Sequence, residues 1–225
     1  MKNDVWIKSH NIPIFDKPVA VVGSPGLRSV GKLVVETLIE KTNAQAITEI
    51  YSTHLPSIYE TKPSYAAHPA FPGGGGVSAN LGLIDMPKVE IFASKKPELI
   101  IVKGYHANFE GQYIVAGKLL ELLAEMKVKK MIVTAGYGSK DKNICCAATS
   151  LELLSEMKEK YQVGTGYKGA FMGFSGLVFG LSKLEKIQSI CLFAGTQPSQ
   201  ENLEDPDKEA SEKIVEKLKE LLDFQ

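Results

Sequence analysis

The residues best placed to do chemistry lie in one glycine-spaced run, Gly23-Ser24-Pro25-Gly26-Leu27-Arg28-Ser29-Val30-Gly31-Lys32. It follows a buried-strand signature, Val19-Ala20-Val21-Val22, and precedes a segment of helical period. At such a junction the backbone N–H groups and the positive end of the helix dipole favour an anion. Arg28, the only arginine in the chain, would add a rigid five-donor fork. Gly26 to Lys32 spells G-x-x-x-x-G-K, but Leu33 stands where a P-loop needs Ser or Thr to hold Mg²⁺. The G-x-G-x-x-G spacing of a dinucleotide fold is absent as well. Two readings stay open: a structural turn whose glycines permit a tight strand-to-helix junction, and a phosphate or carboxylate pocket using Gly23, Gly26, Arg28, Gly31 and Lys32.

A second glycine series, Gly173, Gly176 and Gly180, has spacings of three and four and would share one face of a helix. Glycine costs about 1 kcal/mol per helical position relative to alanine, so the series calls for close backbone packing. That packing lies within the subunit or across an oligomer, with ligand binding as the alternative, and a homo-oligomer is the expectation. The four glycines 73–76 read as a flexible loop, with a lid over a ligand as the alternative.

Catalytic constellations are scarce. His10, His54, His68 and His106 fall in separate segments without metal-ligand spacing, so no metal site is expected. No G-x-S-x-G elbow presents a serine nucleophile. Cys145 and Cys146 fall within a predicted strand and point to opposite faces, as inert thiols would. Glu110 near His106 is one carboxylate beside one imidazole, a pairing common by chance. No catalytic residue and no cofactor is assigned.

The elements that must position these residues alternate between short β-branched runs and helical periods, the pattern of an α/β fold. Strands are expected at Val19–Val22, Ala46–Tyr51, Leu99–Val102, Met131–Thr134, Asn143–Ala148 and Ser189–Phe193. Helices are expected from Ser29 to Lys41 and from Gly111 to Met126, and from Thr149, where Thr149 and Glu152 have capping-box spacing. A last helix carries Ala210, Ile214, Leu218, Leu221 and Leu222 as one apolar stripe. Asp205 is its expected N-cap, with Pro206 at the first helical position. Residues 52–94 hold Pro56, Pro63, Pro69, Pro72 and the glycine run, and read as an excursion from the sheet. The whole, 1–225, reads as one α/β domain with a mixed, mostly parallel sheet.

Composition narrows the function. Over 225 residues, 26 Lys+Arg balance 26 Asp+Glu, which argues against a nucleic-acid binder. No stretch approaches the ~20 apolar residues of a membrane span. Three cysteines, two of them adjacent, do not make a disulfide framework, and no apolar signal region follows Met1. A cytoplasmic protein is expected.

The order of several segments resembles a known family. They are Val19 to Gly31, the helix through Leu119-Leu120, Ile132-Val133-Thr134-Ala135-Gly136-Tyr137, Val163 to Gly180, and Thr196-Gln197-Pro198 followed by Asp205-Pro206. Together they look like the archaeal branch of the proteasome assembly chaperone 2 family, from about Val19 to Leu222. The resemblance implies a phosphorylase- or hydrolase-like α/β fold, self-association and no established catalytic activity. Members are also described as ATP-grasp-like, although no lysine-bearing and carboxylate-bearing nucleotide lobes are present here. It further implies contact with α-subunits of the 20S proteasome, in some relatives through a C-terminal hydrophobic–tyrosine–any tripeptide. Here Leu222, Phe224 and Gln225 are the partner-binding candidates. Phe224 replaces the tyrosine and Asp223 stands where a hydrophobic residue belongs. The alternative is a small-molecule enzyme or sensor holding a phosphate-containing ligand at Gly23–Lys32.

Overall fold

Continuous apolar runs become strands buried on both faces, and the amphipathic segments become the helices that cover them. The computed structural model describes residues 4–55, 77–105, 111–197 and 205–224. In chain order the elements are β1 (Val5–Ser9), β2 (Val19–Gly23), α1 (Val30–Thr42), β3 (Gln45–Ser52), β4 (Ser78–Asn80), β5 (Leu83–Asp85), β6 (Val89–Lys95) and β7 (Glu98–Lys103). There follow α2 (Gln112–Glu125), β8 (Lys130–Gly138), β9 (Ile144–Ala148), α3 (Leu151–Glu159), α4 (Gly173–Leu184), β10 (Gln188–Thr196) and α5 (Lys208–Leu222).

Eight strands form one sheet in the order β1-β3-β6-β7-β2-β8-β10-β9, while β4 and β5 pair only with each other. The central four, β7-β2-β8-β10, are parallel. Strands β6, β3, β1 and β9 are each added antiparallel to their neighbour, so β3 regains the direction of the centre. The sheet is therefore mixed, with most strands pointing one way. From β2 the chain reaches β7 on one side, then crosses through α2 to β8 on the other. Such a switch point leaves a crevice at the carboxyl ends of the strands.

Alternation along each strand builds two cores. On one face Val21, Ile101, Ile132 and Leu192 meet Val34 and Leu38 of α1 and Ile214 and Leu218 of α5. On the other, Val22, Ile100, Val133 and Phe193 meet Leu119 and Leu123 of α2 and Phe174 and Val178 of α4. Truncating one such leucine to alanine costs about 2–5 kcal/mol, so each layer contributes substantially to stability. Cys145 and Cys146 divide between these two cores.

Some expectations need correction. The N-cap of α5 is Asp207, whose Oδ1 accepts the Ala210 N–H at 3.0 Å, and not Asp205. The N-cap of α3 is Ser150, whose Oγ accepts from Leu153 N–H at 3.3 Å. Thr149 is engaged elsewhere: it exchanges hydrogen bonds with the Ser189 backbone at 2.9 and 3.0 Å, closing β9 onto β10. Strand β1, Val5–Ser9, lies outside the expected strands. Within 52–94, β6 belongs to the main sheet. Pro56, Pro63, Pro69, Pro72 and the run 73–76 lie outside the described residues.

Candidate functional site

The carboxyl ends of β2, β8 and β10 meet the 24–27 loop and the start of α4. Strand β2 ends at Gly23 opposite Thr134, but β8 continues through Ala135, Gly136, Tyr137 and Gly138, paired only with β10. The space left beside this overhang is a cavity of about 300 Å³. Its walls include Ser24, Gly26, Gly31, Tyr137, Tyr167, Phe171, Gly173, Ser175 and Phe193.

Backbone glycines make the junction possible. A Cβ on Gly23 would collide with the Gly31 carbonyl, and one on Gly31 with the Thr134 carbonyl. Helix α1 thus starts directly against the sheet, the structural use that the glycine spacing allows. Gly26 and Gly31 line the cavity. Arg28 and Lys32 are not among its lining residues. Arg28 donates through Nε to the Asp205 carbonyl (2.7 Å) and through Nη1 to the Gln197 carbonyl (2.8 Å), and pairs with Asp207 Oδ2 (3.3 Å). Lys32 Nζ lies 3.8 Å from Glu36 Oε1, which also pairs with Lys103 at 3.2 Å. Burial lowers the Lys32 ammonium below its ordinary value, with Glu36 opposing and Lys103 adding to the fall.

Aromatic rings form the far wall. Tyr167 and Phe193 stack with centroids 4.0 Å apart, Tyr137 stands edge-on to both, and Phe171 is edge-on to Phe193. Nearby, Ser24 Oγ and Ser175 Oγ share a hydrogen bond of 2.7 Å. The sequence does not mark the aromatic group, because its members come from three separate segments, β8, the connection before α4 and β10, that only the fold brings together.

The second glycine series divides. A Cβ on Gly176 would strike the Phe171 carbonyl of the same chain, whereas Gly173 and Gly180 have open space at that position. At the tail, Leu222 and Phe224 are partly buried against the core that α1 and α5 cover. Gln225 lies outside the described residues, as do His68, His106 and Glu110. His10 and His54 are on separate segments near the β1–β3 edge. Burial raises all three thiols, Cys146 to about 11, so none is a ready thiolate.

A family model describing the PAC2 family matches residues 20–225. The chain belongs to the PAC2 family. No curated protein matches it. Among solved structures, the PAC2 chain resembles Pyrococcus furiosus PbaB, an archaeal proteasome activator. Identity is 23% over 99% of this chain and 90% of that one, with a TM-score of 0.80. It also resembles P. furiosus PbaA, an archaeal homolog of proteasome-assembly chaperone, at 18% identity over 98% and 87%, TM-score 0.74. A Mycobacterium tuberculosis proteasome-assembly chaperone homologue aligns at 14% identity over 92% and 86%, TM-score 0.65. These likenesses establish that the PAC2 fold described above is shared. Among the described residues of this PAC2 protein, no helix is long and apolar enough to cross a membrane.

Proposed function

We propose that the chain is a non-catalytic assembly or binding protein that contacts 20S proteasome α-subunits and is itself a homo-oligomer. The observation that carries this reading is the PAC2 match over residues 20–225, joined to a likeness that spans nearly all of PbaB and PbaA.

The tail is a secondary contact in this reading. Phe224 is engaged in its own core, and Asp223 would have to stay solvated beside any apolar pocket. Other apolar surface is available: Leu81, Leu83 and Ile84 on the β4–β5 hairpin are 98%, 76% and 70% exposed. Exposed apolar surface of this kind is what protein partners cover. Self-association has open helix surface at Gly180, whereas Gly173 faces the cavity. The three free thiols fit a cytoplasmic location. The test is affinity capture with the full tagged chain from the source cell. Recovery of α-subunits is expected, and their absence from the captured material while abundant in the lysate would count against the proposal.

A further inference from the structure

The cavity beside β8 is not explained by an assembly role, and its chemistry is specific. Among the described residues its lining carries no charged side chain. Arg28 is spent on Asp205, Gln197 and Asp207, and Lys32 is directed to Glu36. A phosphate entering here would be desolvated without a counter-ion, which is strongly unfavourable. Pro25, in the middle of the loop, supplies no N–H.

What the walls do offer is flat apolar surface with one polar edge. Tyr137, Tyr167, Phe171 and Phe193 present rings, with the Tyr167–Phe193 stack only 4° from parallel. Ser24 and Ser175 are each 5% exposed. Two hydroxyls carry two hydrogens, and their mutual bond uses one. Whichever hydroxyl accepts keeps its own hydrogen, and since both serines line the cavity that hydrogen is available to a ligand acceptor. At about 300 Å³ the space is at the small end of ligand pockets, suited to one or two fused rings. It also occupies the position at a topological switch point where α/β folds hold ligands.

We infer that this cavity binds an uncharged, flat, one- or two-ring heteroaromatic molecule whose edge accepts a hydrogen bond from the Ser24–Ser175 pair. The inference stands on the cavity alone, so it survives or fails independently of proteasome binding.

The test is calorimetric titration of the full chain at neutral pH with adenine, indole and inorganic phosphate. Adenine has in-plane acceptors, whereas indole has the same two-ring shape and none. Adenine should bind, indole should bind more weakly and phosphate should not bind. Ser175→Ala should weaken adenine about five- to tenfold and leave indole unchanged. Tyr167→Leu should weaken both rings by up to about tenfold. If that variant does not fold, Ala170→Trp at the exposed rim should block both ligands. The inference is overturned if wild type fails to bind adenine at millimolar concentration, if phosphate binds instead, or if indole binds as well as adenine. It is equally overturned if the folded variants bind adenine like wild type.

Discussion

Arg28 and Asp207, on opposite ends of the chain, hold each other twice. Arg28 Nη1 lies 3.3 Å from Asp207 Oδ2, and the Asp207 N–H donates to the Arg28 carbonyl at 2.9 Å. Asp207 also accepts from Thr196 Oγ1 at 2.5 Å and caps α5 through Ala210. One arginine therefore ties the loop after β2 to the end of β10 and the start of α5. It does so while Arg28 and Ser29 both sit in the left-handed region, at φ 48° and 52°. Each such residue costs about 1–3 kcal/mol, which the surrounding bonds must offset.

Arg28→Lys keeps the charge but loses the planar fork, and should lower unfolding free energy by about 1–3 kcal/mol. Arg28→Gly should be less damaging than Arg28→Ala by about 1 kcal/mol, because glycine relieves the left-handed backbone. Urea unfolding of the three variants checks both expectations.

Asp207 also sets an acid response. Burial raises its carboxyl, but Thr196, the Ala210 N–H and Arg28 outweigh that and hold it below the ordinary carboxylate value. A carboxyl whose pKa is depressed on folding contributes stability above its unfolded pKa, near 4, and loses it as pH falls through the folded value. The melting temperature should therefore drop on acidification below about pH 4. Asp207→Asn should make that drop shallower. It should not abolish it, because Glu49 is likewise depressed: bonds from Lys88 and Lys8 overcome its burial.

The two helix glycines should part company. Gly180→Ala, on an exposed turn of α4, should stabilise the monomer fold by about 0.5–1 kcal/mol. Gly176→Ala should destabilise it, since the new methyl meets the Phe171 carbonyl. Light scattering of wild type should give a multiple of the monomer mass, and Gly180→Leu should shift it toward the monomer. A wild-type monomer across the micromolar range would contradict self-association.

What could be read from the sequence follows from how local each signal is. Buried runs such as Leu99-Ile100-Ile101-Val102 announce themselves, because both faces of the strand are covered. β1 does not, since Trp6 and Ile7 stay exposed at a sheet edge. β6 was hidden within a proline- and glycine-rich stretch. The glycine junction at Gly23 and Gly31 was legible as spacing. The role of Arg28 was not, because it depends on Asp207 and Asp205 at the far end of the chain. The aromatic cavity was equally out of reach, being assembled by strand order.

The tail gives a prediction of its own. Deleting Phe224 and Gln225 should reduce α-subunit affinity only modestly. Asp223 closes α5 at φ 51°, a conformation that asparagine tolerates. Asp223→Asn should therefore keep the helix end and strengthen binding by removing a carboxylate that resists burial. If the two-residue deletion abolishes binding, the tail is the main contact.

The central claim is tested most directly by titrating the purified full chain against a purified proteasome α-ring from the same organism. The account predicts saturable, weak binding that persists without Phe224 and Gln225. No binding at high micromolar concentration would contradict it.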